Sequence, residues 1–110
     1  MAAKLIALTV DNLPRLVTPS QGALVVMFSA SWCLPCRKMT PVFLQLVDAL
    51  PDLALYGAVD MAVSPTIAQR CGIRAVPSIE VFRKDVLATV IAGQVSLDDL
   101  KARVLQAIAN

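Results

Sequence analysis

Histidine is missing from the 110 residues. That removes histidine general bases, Cys–His dyads and imidazole metal ligands together. Charge is sparse as well: Asp, Glu, Lys and Arg make up 16% of the chain, against about 25% in an average domain. Hydrophobic residues reach 57%, which excludes an intrinsically disordered chain. The balance of 10 basic and 8 acidic residues, net +2, is too small and scattered for a nucleic-acid footprint. Long apolar runs are also lacking. The longest, 23–28 and 53–59, fall far short of the roughly 18–20 residues of a membrane-spanning helix. At the start, Asp11 and Asn12 interrupt the short run 5–8 too soon for an export signal. The expectation is a cytoplasmic protein with no membrane contact.

What is present is one domain, 1–110, large enough to fold on its own core. The chain shows no repeat and no Gly/Ser linker. Residues 4–9 read as a first strand, and 11–17 as a short helix capped by Asp11 or Asn12. The continuous apolar run 23–29 predicts a strand buried on both faces. From about 33 to 50, Met39, Val42, Phe43, Leu46, Val47 and Leu50 fall at helical spacing, with Pro41 inside the pattern. Residues 54–59 form another buried strand, ending at Asp60. Ser64 and Pro65 open a short helix that stops before Gly72. Strands 78–82 and 86–91 flank a polar turn and read as a hairpin. Ser96 caps a last helix to about 109, with Asp98 and Asp99 in its first turn. The order β-α-β-α-β-α-β-β-α implies an α/β fold: a mixed sheet of about five strands, with four helices on both faces. Such a sheet absorbs the apolar excess.

The chemistry sits at Trp32-Cys33-Leu34-Pro35-Cys36. Cysteines three apart on a helix share a face, with Cβ atoms about 5–6 Å apart. A modest adjustment brings them to the roughly 3.8 Å of a disulfide. Cys33 falls at a helix start, where free N–H groups and the positive dipole end favour a thiolate. Cys36, a turn deeper, is expected to be less exposed. Cys33 would attack a partner disulfide and Cys36 would resolve the mixed disulfide. Zinc would need more ligands than this pair plus Cys71 supplies. Two unrelated buried thiols are the other alternative. No cofactor is expected beyond a redox-active Cys33–Cys36 disulfide, and no metal.

The chain resembles the thioredoxin family. The resemblance is carried by Phe28-Ser29-Ala30-Ser31 leading into the Cys-Leu-Pro-Cys block, by Pro41, Asp60, Gly72-Ile73-Arg74 and Val76-Pro77, and by Phe82 and Gly93. It implies the thioredoxin fold and thiol–disulfide exchange, with reduction of protein disulfides as the expected direction. It also implies a cis bond before Pro77 and pairing of an extended partner segment with the backbone of Val76. Trp32, Leu34, Pro35, Ile73, Val76, Pro77 and Gly93 are then the expected substrate-docking residues. The implied partners are protein disulfide substrates and a thioredoxin reductase or equivalent electron donor, with the chain itself a monomer. A disulfide oxidase or isomerase of higher potential, or a binding module with weak redox activity, are the alternative readings.

Three departures from the family pattern stand out. Leu34 replaces a usual glycine between the cysteines. Met27 stands where a buried acid is usual, and Tyr56 where its lysine partner is usual, so the resolving step by Cys36 is expected to be slow. Cys71 is extra, either a small packed residue or a regulatory thiol. Glu80, the only glutamate, is expected at a solvated strand position rather than as a relocated acid. Arg37, Lys38, Arg70 and Arg74 are expected to form a solvated basic rim.

Overall fold

The computed structural model describes residues 5–7, 22–84 and 86–109. Among these the chain forms β1 (Leu5–Ala7), β2 (Ala23–Ser29), α1 (Leu34–Ala49), β3 (Leu55–Asp60), α2 (Pro65–Arg70), β4 (Ser78–Arg83), β5 (Val86–Ala92) and α3 (Leu97–Ala109). The helix expected at 11–17 lies outside the described residues. The five strands make one sheet in the order β1-β3-β2-β4-β5. Strand β2 pairs parallel with β3 and antiparallel with β4, the mixed sheet that alternation followed by a hairpin implies.

The unbroken apolar run of β2 is explained by cover on both faces. Val25 and Met27 join Ile79 and Val81 under Met39, Phe43, Leu46, Leu100 and Val104 of α1 and α3. Leu24, Val26 and Phe28 point the other way and pack with Val59 and with Ile67 of α2. Each such large side chain contributes roughly 1.5–3 kcal/mol on burial. No helix among the described residues is long and apolar enough to cross a membrane.

The helix ends follow local chemistry with one exception. Ser96 Oγ accepts the Asp99 N–H at 3.1 Å, capping α3 as expected. Ser64 stands at the N-cap of α2 but its side chain makes no capping bond. Its own N–H instead donates to the Asp60 carbonyl at 2.8 Å, so the turn after β3 sets where α2 starts. After Arg70 the chain reverses through Gly72 at φ 72°, a left-handed conformation that glycine adopts without strain.

Glu80 departs from expectation. It is 1% exposed, because β4 lies inside the sheet between β2 and β5, opposite Val26 and Val90. It shares the α2 side of the sheet with Val26, whereas Met27 faces α1. Glu80 is therefore neither solvated nor a substitute for an acid at position 27.

Candidate active site

Strand β2 ends at Ser29, and four residues later Cys33 stands at the N-cap of α1 with extended backbone, φ −95° and ψ 112°. Cys33 thus lies just outside the helix rather than within its first turn. Its Sγ takes the place of the oxygen of an ordinary cap residue and accepts the Cys36 N–H at 3.2 Å. Pro35 occupies the first turn, where a missing N–H costs nothing. Cys33 and Cys36 are joined as a disulfide, with Cα atoms 5.3 Å apart. When this bond is reduced, the same N–H and the positive end of α1 stabilise negative charge on Cys33.

Both cysteines are largely buried: Cys33 is 6% exposed and Cys36 2%. They pack with Ala30 and against half-buried Val76. Cys33 Sγ lies 3.8 Å from the Val76 carbonyl oxygen, and the Val76–Pro77 peptide is cis, as the resemblance implied. Pro77 itself is buried. The Gly93 N–H donates to the Pro77 carbonyl at 2.9 Å, placing exposed Gly93 on the same loop cluster. Trp32 is 74% exposed and Leu34 61%, and Pro35 is exposed beside them. Trp32, Leu34 and Pro35 thus form an exposed apolar rim beside the buried disulfide, the kind of patch that marks interaction surfaces. Of the expected rim residues, Ile73 fits least well. It packs against the Leu24, Val26 and Phe28 cluster, whereas Val76 touches both that cluster and the cysteines.

The substituted pair is accommodated by packing. Met27 sits in the α1-side core. Tyr56 stacks edge-on against Phe43, ring centroids 6.2 Å apart, and its hydroxyl donates to the Leu50 carbonyl. Burial pushes its phenol up to about 12, so it acts as a structural donor at the far end of α1. Cys71 is half-buried against the α2-side core. Burial first, and then the charge of Glu80, push its thiol up to about 11. It is held as a thiol at neutral pH, a poor nucleophile. Arg37, Lys38, Arg70 and Arg74 are exposed, with the Arg37 Nη2 donating to the Ser31 carbonyl at 3.1 Å.

Sequence reasoning missed a cleft of about 270 Å³ on the flank of α1, lined by Ser29, Cys36, Arg37, Thr40 and Asp60 among others. Its signal was a small polar residue ending β2 beside an acid ending the neighbouring β3, paired in register.

Comparison with known proteins agrees with this geometry. The family model for thioredoxin matches residues 4–106. The chain is 36% identical over 81 residues to "Putative thioredoxin 2" of Streptomyces coelicolor, covering 74% of this chain and 59% of that protein. It is 30% identical over 109 residues to protein disulfide-isomerase 2-3 of Arabidopsis thaliana, covering 99% of this chain and 23% of that one. The chain therefore spans a little over half the length of the first relative and under a quarter of the second. The crystal structure of the Malassezia sympodialis thioredoxin superposes with a TM-score of 0.86 at 26% identity, covering 98% of this chain and 93% of that one.

Proposed function

The chain belongs to the thioredoxin family, and on that premise we propose that it reduces protein disulfides by dithiol–disulfide exchange. The observation that carries the reading is Cys33 Sγ at the N-cap of α1, bonded to the Cys36 N–H and set within an exposed apolar rim. The Cys33 thiolate attacks one sulfur of a substrate disulfide. A Cys33–substrate disulfide forms and the other substrate sulfur leaves as a thiolate. Cys36, deprotonated, then attacks Cys33 Sγ, and the second substrate sulfur leaves. Two electrons pass to the substrate and the Cys33–Cys36 disulfide closes. A partner reductase restores the dithiol. This cycle sets the protein in a reducing compartment such as the cytoplasm.

Docking uses the backbone at Val76. Its N–H has no hydrogen-bond partner among the described residues, so it is available to an extended substrate segment, a local form of strand addition. Trp32 and Leu34 offer mainly apolar contact area, which suits varied protein substrates.

The competing reading is an isomerase or oxidase, favoured by the match of 99% of this chain to a segment making up 23% of a protein disulfide-isomerase. Titration of the dithiol against glutathione separates the two. A potential near about −270 mV supports the reductase reading, and one near about −180 mV, the isomerase range, overturns it. Insulin reduction with dithiothreitol is the companion assay. Activity no higher than background would leave a binding module.

A further inference from the structure

The reductase cycle requires a proton to leave Cys36 before it can attack, and the apolar cluster packed on the pair offers no base among the described residues. Ala30 and Val76 pack against the sulfurs, and Met27 fills the α1-side core. Among the described residues that line the flanking cleft with Cys36, the one acid is Asp60. Ser29, Cys36, Arg37 and Thr40 line that cleft together with Asp60. Its volume of about 270 Å³ has room for several waters, each of which takes about 30 Å³ of the liquid. The walls carry the polar partners that ordered water needs.

Asp60 is suited to receive a proton there. Its Oδ1 accepts the Ala62 N–H at 2.9 Å, while its Oδ2 has no protein donor among the described residues. The carboxylate is fixed by the turn after β3, since the Asp60 carbonyl also accepts the Val63 and Ser64 N–H groups. Thr40 Oγ1 donates to the Cys36 carbonyl at 2.9 Å, which leaves its lone pairs facing any incoming donor. The Arg37 guanidinium, tethered to the Ser31 carbonyl, keeps a positive charge on the same wall.

We propose that this cleft is the exit route for the Cys36 proton, with Asp60 as its acceptor through water. In the mixed disulfide the Cys36 S–H bond breaks and its proton passes along cleft water to the Asp60 carboxylate. The Cys36 thiolate attacks Cys33 Sγ, the Cys33–substrate bond breaks, and the substrate thiolate departs. Asp60 then returns its proton to solvent, so no outside oxidant or reductant is consumed. Asp60 is a positioning residue acting through water, and Ser29 matters because a larger side chain there would close the cleft. The proposal rests on the reductase reading above.

The test uses reduced protein in a Cys71→Ala background mixed with a symmetric chromophoric aryl disulfide. Attack by Cys33 releases the first arene thiolate and resolution by Cys36 releases the second, so the two steps are timed separately. Asp60→Asn retains an oxygen for the Ala62 N–H while removing the base. It is expected to leave the first phase intact and slow the second by about 10²-fold, the low end for a positioned base. The second phase should then climb with pH as hydroxide takes over. Ser29→Leu should slow the same phase with Asp60 in place. A normal first phase with an unchanged second-phase rate and pH profile in Asp60→Asn overturns the proton route alone. A wild-type chain that releases no first arene thiolate overturns the reductase reading and the route with it.

Discussion

Replacing Glu80 by Gln should stabilise the protein at neutral pH and leave it unchanged in acid. Glu80 is 1% exposed, and its Oε1 has no hydrogen-bond partner among the described residues. Burial pushes its carboxyl up from 4.5 to about 7, because removing a carboxylate from water penalises the charged form. Below pH 4.5 the group is protonated whether the chain is folded or not, and it takes no part in the pH dependence. Between 4.5 and about 7 the unfolded chain ionises and the folded chain does not, so stability falls as pH rises. Above about 7 both ionise and the loss levels off. At about 1.4 kcal/mol per tenfold change in proton affinity, the full loss is about 3 kcal/mol, a large share of the 5–15 kcal/mol typical of a domain. Glutamine has the same shape and stays neutral. The variant and the wild type should therefore match at pH 4 and differ by about 3 kcal/mol at pH 8, with the variant the more stable. Urea unfolding of the oxidised proteins at intervals from pH 4 to 8 measures this. Far-UV circular dichroism is the right probe, since the only tryptophan is exposed. Parallel curves for the two proteins, or a wild type more stable than the variant at pH 8, would refute the reasoning.

Four further outcomes follow from the same geometry. Cys36→Ser should trap substrates as mixed disulfides with Cys33, seen as reducible adducts on gels; an adduct-free variant that still attacks small disulfides would contradict the assigned roles. Met27→Asp should quicken the resolving step by placing an acid in the α1-side core. It should also lower stability by several kcal/mol, the cost of an unpaired buried charge; an unaltered resolving rate would remove Met27 as the reason for slow resolution. Cys71 should stay unmodified under mild peroxide at pH 7, because burial and Glu80 hold it as a thiol, and a Cys71 adduct in the mass spectrum would revive the regulatory reading. Tyr56→Phe should cost about 1 kcal/mol in urea unfolding through loss of the bond to the Leu50 carbonyl; an unchanged midpoint would show that bond to be replaced by water.

Patterns that depend on neighbours along the chain were readable in advance. The run at 23–29 became β2 residue for residue, because a strand covered on both faces needs apolar side chains at every position. The helical spacing of Met39, Phe43, Leu46 and Val47 put those residues in the core because a helix lying on a sheet buries one apolar stripe. The reactive pair was legible from its three-residue spacing after a strand. The exact placement of Cys33 was not, since whether a residue caps a helix or begins it is decided by backbone angles that neighbouring types leave open.

The absence of histidine and the presence of one Cys-Leu-Pro-Cys segment, by themselves, left thiol exchange as the chemistry to expect. They did so because every histidine-based nucleophile–base pair was excluded, while a paired dithiol needs no histidine to exchange. Tertiary structure alone decided what lies across the sheet and beside the helix. Glu80 became a buried acid because β4 took an interior place between β2 and β5. Asp60 came to line the same cleft as Cys36 because parallel pairing of β2 with β3 set Ser29 opposite it. Contacts between residues dozens of positions apart depend on which strands pair and in what register, and pairing is settled by packing of the whole core rather than by any local pattern.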